Sequence, residues 1–249
     1  MKLNWTIALM CVATLSFVAC KDKNEPDEAD TDVEYTAKIS VNDKSIADWD
    51  KLDQSNVFES KITPNPLWGG VHMVKVYADE VYINWVMVFD PKKYKQHRDV
   101  DGMHIFLDVD HSKKTGGYFD LFGDACADLM FEGSLYNAGA PINYAPSVYK
   151  WQGKVNGEGW EGWGDKTPIG SVKGESQFVN DSTLEVRMMI ENIPGGKKQF
   201  NSEGFGFGIT LTQNFQPDAV GFLPQGDTPD GEHIGRLDML YVKFTTTMK

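Results

Sequence analysis

The residues best placed to do chemistry lie between Leu107 and Gly133, in LDVDHSKKTGGYFDLFGDACADLMFEG. Asp108 and Asp110 stand two apart at the end of an apolar run. A Thr115-Gly116-Gly117 turn follows, and then come Asp120, Asp124 and Asp128. Two carboxylates on one face of a strand end, with turn carbonyls beside them, are the oxygen ligands a hard cation takes. Asp108, Asp110 and Asp120 are the ligands expected if a metal is held. The loop is not an EF-hand. With Asp108 as position one, Lys113 stands at six in place of Gly and Phe119 at twelve in place of Glu. Lys113 and Lys114 also put positive charge in the loop, which works against a cation. The competing reading is a turn whose aspartates cap backbone N–H groups. Asp128, just before an apolar strand, is expected to hydrogen-bond such a turn. The residues alone leave both readings open.

A second set of candidates is aromatic. GKVNGEGWEGWGDK carries Trp160 and Trp163 among five glycines between Gly153 and Gly164, and Trp151 opens the same hairpin. Trp68 lies in a separate loop, NPLWGG. Indole faces can stack on the C–H faces of sugar rings while nearby acids and amides take the hydroxyls, and little rotamer entropy is lost. Trp151, Trp160, Trp163 and Trp68 are therefore the ligand-binding candidates. The alternative is that these rings cover an open face of the fold. Trp85, in mid-strand, reads as core, and Trp49 as packing an N-terminal turn onto a sheet. Cys126 sits among small residues and reads as a small buried apolar side chain.

No catalytic residue is assigned. The chain has no G-x-S-x-G elbow, no HExxH and no C-x-x-C, and its five histidines show no metal-ligand spacing. Gly204–Gly208, GFGFG, lacks the Lys and the strand-to-helix context of a phosphate loop. Its glycines leave one strand face flat, for close sheet packing or for a ligand to approach. The separation of a glycosidase carboxylate pair is not readable from sequence.

The elements that must position these residues are strands. In TLEVRMMIENI, Leu184, Val186, Met188 and Ile190 alternate with Glu185, Arg187, Met189 and Glu191. In GMHIFLDVD, Met103, Ile105, Leu107 and Val109 alternate with His104, Phe106, Asp108 and Asp110. Period two is the signature of a half-buried strand. VYINWVMVFD is apolar on both faces, and Ala78-Asp79-Glu80 marks a hairpin between it and MVKVYADE. YTAKISV, ADLMFEGSLY, SVYKWQG, SQFVN, GFGFGITLTQNF and RLDMLYVKFTTT read as further strands. Only SIADWDKL and DPKKYKQH read as short helical turns. Many short antiparallel strands separated by Gly, Pro, Asn and Asp turns specify an all-β, antiparallel β-sandwich of jelly-roll or immunoglobulin-like type.

The N-terminus reads differently. Residues 1–19 run from a Lys through an apolar stretch to small residues, a secretory signal too short for a spanning helix. Residues 20–34 hold seven acids and no aromatic, too little apolar surface to fold, and read as a solvated tether to one domain over 35–249. The net charge of −12 argues against nucleic acid and anionic membrane surfaces as partners.

Two resemblances add to this. Phe17-Val18-Ala19-Cys20 is similar to a relaxed bacterial lipoprotein box, and the Lys21-Asp22 start of the tether resembles the export signals of Bacteroidetes surface lipoproteins. This implies a lipidated Cys20 and a Gram-negative outer membrane, cell-surface location, with the membrane touched only through the anchor. Within the domain, ADWD at Ala47–Asp50, the VKVYADEVYINWVMVFD hairpin, HIFLDVDHSKKTGG, ADLMFEG, YKWQG with GWEGW, and a strand ending ENIP occur in this order. That order resembles the β-sandwich of carbohydrate-binding module family nine and its DOMON-like relatives. The resemblance implies a secreted, usually non-catalytic sandwich that often binds sugars, with a structural Ca2+ at loops such as the one after Leu107. The function expected is capture of an oligo- or polysaccharide without cleavage, beside outer-membrane glycan-uptake proteins. The alternatives are a structural or protein-interaction lipoprotein, with Trp160 and Trp163 buried, and a glycoside hydrolase or lyase, with two facing carboxylates in a cleft.

Overall fold

The computed structural model describes residues 35–62, 70–94, 102–117, 126–137, 140–155, 160–163, 167–212, 219–224 and 239–246. The chain divides into two units, Met1–Thr36 and Ala37–Lys249. The second unit is an all-β sandwich. Its first sheet holds β1 (Phe58–Lys61), β2 (Val71–Ala78), β3 (Tyr82–Phe89), β11 (Thr183–Met189) and β10 (Glu175–Asn180), in that spatial order. The second sheet runs β13 (Ala219–Leu223), β12 (Gly204–Thr212), β4 (Gly102–Asp108), β5 (Leu129–Gly133), β8 (Ser147–Lys150) and β9 (Gly170–Ser171). A further strand, β14 (Leu240–Lys243), pairs with the first half of β12 as β13 pairs with the second. A small ribbon of β6 (Tyr136–Asn137) and β7 (Ala140–Pro141) stands apart. Every strand pairing is antiparallel.

The alternation read from the sequence decides which residues fill the space between the sheets. Leu184, Val186, Met188 and Ile190 meet Met103, Ile105, Leu107 and Val109 in one buried cluster, with Trp85, Phe131, Phe205 and Phe207. The expected hairpin forms because the Asp79 carboxylate accepts hydrogen bonds from the N–H of Val81 (2.9 Å) and Tyr82 (2.8 Å). The two expected helical turns are a 3-10 turn at Trp49–Lys51 and one α turn, α1, at Pro91–Tyr94. Residues 35–41 do not form the strand expected of them, although Ile39 and Val41 are buried. In GFGFG, a Cβ on Gly204 would run into the carbonyl of Val242 on β14, so close sheet packing accounts for that glycine.

Both outer faces of the sandwich are covered. The segment 39–57 lies over the first sheet, packing Ile39, Val41, Trp49 and Leu52 on Tyr77 and Val86. Over the second sheet, Trp151 and Trp163 pack on Phe106, Met130, Tyr149 and Phe222. As a result, residues that alternation assigned to polar faces are buried. Glu185 and His104 are each 1% exposed, and Phe106 is fully covered. Cys126 is a buried free thiol.

Candidate functional site

The site forms where β4 ends and β5 begins. Antiparallel pairing sets Leu107 opposite Leu129, and the N–H of Asp128 donates to the carbonyl of Leu107 (2.8 Å). The residue closing one strand and the residue preceding the other therefore come side by side. Carboxylate oxygens of Asp108, Asp110 and Asp128 all lie within 4.8 Å of one another. Asp120, the third ligand expected, lies outside the described residues together with Asp124, and the acid that the structure sets beside Asp108 and Asp110 is Asp128. Pairing the Asp-x-Asp end of one strand with the Ala-Asp start of the next, as two arms of a hairpin, is the signal that would have found it.

The turn between them is held by its own side chains. Thr115 Oγ1 donates to the Asp110 carboxylate (2.8 and 2.9 Å to its two oxygens), and the N–H of Ser112 donates to Asp108 Oδ1 (3.3 Å). The N–H of Val109 donates to Asp128 Oδ2 (3.0 Å). Gly116 needs its hydrogen side chain twice over. Its φ is +66°, and a Cβ there would strike the backbone of Cys126 and Ala127. The Gly117–Ala127 bridge then closes the turn. The His111 ring meets that of Tyr241 at a tilt of 43°, 4.2 Å between centroids, and its Nδ1 lies 3.9 Å from Asp108 Oδ2.

Three acids this close carry an electrostatic cost. Burial first, and then the charges of Asp110 and Asp108, push the Asp128 carboxyl up to about 7. Asp108 is also raised, by burial and by Asp110. The donor set fits a hard cation. Ca2+ takes carboxylate oxygens at about 2.3–2.6 Å, so two ligands on opposite sides of one ion stand roughly 4.6–5.2 Å apart. The turn contacts leave room for a cation, because Asp108 and Asp128 each meet a backbone N–H and Asp110 meets the Thr115 hydroxyl, and each carboxylate keeps lone pairs that could ligate one.

Beside the acids lies a pocket of about 450 Å3, lined by Asp110, Asp128, Lys114, Lys150, Trp151 and Val155 among others. Among the described residues, Trp151 is the tryptophan candidate placed in its wall. Trp151 is 8% exposed, and a Cβ on Gly117, Gly153 or Gly162 would collide with its ring. Its Nε1 donates to the carbonyl of Lys154 (2.9 Å). Trp163 is corrected from platform to core. It is 1% exposed and packs edge-on against Trp151 (5.2 Å between centroids) and against Phe106 (5.9 Å), so neither of its faces is open to a ligand. Trp68 and the Trp160 side chain lie outside the described residues.

Gly117, Gly153 and Gly162 surround the Trp151 ring. They form the slot in which the ring lies, because a side chain on any of them would occupy the space of the indole. Gly162→Ala is expected to destabilise the protein by about 1–3 kcal/mol, the cost of forcing an extra methyl into a filled space. Urea denaturation measures this, and a change within about 0.5 kcal/mol, typical of a surface position, would mean that the slot is not tight.

No protein-family model matches this chain, and no curated protein matches it.

Proposed function

We propose that the protein is a non-catalytic carbohydrate-binding lipoprotein, anchored through Cys20 and displayed at the outer-membrane surface beside glycan-uptake proteins. The observation that carries this reading is the 450 Å3 pocket at the end of β4 and β8. Its volume falls in the roughly 300–1,000 Å3 range of small-molecule sites. It joins an apolar wall of Trp151, Val109 and Val155 to the polar groups of Asp110, Asp128, Thr115 and Gln199. A sugar needs both kinds of surface, the first for its C–H face and the second for its hydroxyls. The order of sequence motifs supports the same reading, as does the signal-like start of the chain.

In this proposal Asp108, Asp110 and Asp128 hold a structural Ca2+ that fixes the turn forming one rim of the pocket. Ca2+ at a hundredfold excess over its Kd would stabilise the protein by about 2.7 kcal/mol. Asp110→Ala is expected to abolish that gain, read as a calcium-dependent rise in Tm for the parent chain and none for the variant. Equal Tm rises in both would remove Asp110 from the ligand set.

The second reading, a protein-interaction lipoprotein, draws on the burial of Trp163, which it anticipated. A glycan array of the full chain, run with and without Ca2+ and with reducing-sugar release assayed on every hit, separates the readings. Binding without release supports carbohydrate capture. Release would make the acid cluster that of a hydrolase. Binding to no glycan would favour the interaction reading.

A further inference from the structure

The pocket holds both signs of charge without letting them meet. Lys114 comes from the turn after β4 and Lys150 from the end of β8, and both line the wall that Asp110 and Asp128 also line. Among the described residues, neither lysine is ion-paired with a carboxylate. Other lysines of this acidic chain do pair. Lys51 sits 2.8 Å from Asp48, Lys61 2.9 Å from Glu59, and Lys75 3.6 Å from Glu59. Two unpaired ammonium groups therefore share a concave wall with two carboxylates. Val155, 53% exposed, adds apolar surface to the same wall.

A neutral sugar would satisfy the carboxylates through its hydroxyls and leave both ammonium groups with water. A ligand that also carries an anionic group would use the whole wall. We propose that the pocket takes a negatively charged sugar unit, with its carboxylate or sulfate ester set against Lys114 and Lys150 and its hydroxyls turned toward Asp110 and Asp128. The inference rests on the carbohydrate reading above and names its substrate class. A divalent cation held by the three aspartates would change the summed charge of Asp108, Asp110, Asp128, Lys114 and Lys150 from net negative to net positive. Anionic sugars should therefore gain more from Ca2+ than neutral ones.

The test is calorimetric titration of the full chain, in Ca2+, with three probes: oligogalacturonate, a sulfated galactan oligosaccharide and a neutral galacto-oligosaccharide. At least one anionic probe is expected to bind about tenfold or more tighter than the neutral one, and Lys114→Met or Lys150→Met to cancel that advantage, as losing a charged hydrogen bond should. Both lysines are exposed, so unchanged Tm in the variants serves as the folding control. The affinity for the anionic probe should also fall as salt rises, in the parent chain itself. Preference for oligogalacturonate assigns the carboxylate, and preference for the galactan assigns the sulfate. Neutral and charged probes bound equally, with neither lysine variant altered, would overturn the charge inference and leave the carbohydrate reading standing. Binding of no probe here and of no glycan on the array would overturn both.

Discussion

Replacing Trp163 with alanine is expected to destabilise the protein by about 3–5 kcal/mol, the usual cost of emptying a buried aromatic site. The ring is 1% exposed and lies between Trp151 and Phe106 on the outer face of the second sheet. Removing it would open a cavity against Trp151, whose own position depends on glycines at Gly117, Gly153 and Gly162. Trp163→Phe should cost much less. The indole Nε1 is buried with no hydrogen-bond partner among the described residues, and losing an unsatisfied N–H recovers about 1–3 kcal/mol of desolvation. Urea denaturation of the two variants checks both figures. A sugar platform would behave in the opposite way: Trp163→Ala would keep its stability and lose glycan binding. That result would sink the packing account.

The second large effect is on pH dependence. Glu185 lies on β11, 1% exposed, beneath the segment 39–57. Trp49 Nε1 donates to its Oε1 (2.6 Å), while Oε2 is buried with no partner among the described residues. Arg187 is engaged elsewhere. Its Nη1 donates to the carbonyl of Ile39 (2.9 Å) and its Nη2 to Glu175 Oε2 (2.5 Å). Burial first pushes the Glu185 carboxyl up to about 7. The Trp49 hydrogen bond opposes that shift, and the charges of Asp43 and Asp48 add to it. An unfolded Glu titrates near ~4.3. Between the two values the folded chain binds the extra proton, so the Glu185 contribution to stability falls as pH rises from about 4.3 through 7. At ~1.4 kcal/mol per unit, the loss is on the order of 3–4 kcal/mol.

Glu185→Gln keeps an acceptor for Trp49 and removes the charge. The variant is expected to exceed the parent chain in stability at pH 8 by roughly 2–3 kcal/mol, with the difference shrinking toward pH 4.5. Denaturant midpoints at the two pH values, with Trp49 fluorescence as the probe of the covering segment, measure it. Asp128 shifts in the same direction, so the comparison between variant and parent isolates the share due to Glu185. A parent chain that gains stability over the variant from pH 5 to pH 8 would show that Glu185 is ionised and well compensated in the fold.

Much of the architecture was legible before any coordinate. The strict alternation from Leu184 to Ile190 and from Met103 to Val109 placed these residues on the inter-sheet side, because side chains a pleat apart must point to the same face. Asp79 declared its hairpin through a side chain that accepts from the N–H groups two and three residues on. Asp108 and Asp110 declared themselves as a pair for the same reason, since their relation is set by one strand and one turn.

What the sequence could not determine is what covers a strand's second face and which distant residue completes a cluster. Glu185 and His104 belong to polar positions by alternation, yet both are buried, Glu185 beneath a segment far away in the chain. The Trp49–Glu185 hydrogen bond spans 136 residues. Asp128 reaches Asp108 only because β4 and β5 pair in a register that ends at Leu107 and Leu129. The glycine-rich tryptophan stretch left two readings open, because a ring packed in a Gly-lined slot and a ring offered to a ligand have the same composition. Face, turn and period are local consequences of backbone geometry, and the residues alone determine them. Burial, charge clustering and the raised pKa of Glu185 arise from surfaces brought together across the chain, and only the tertiary structure decides them.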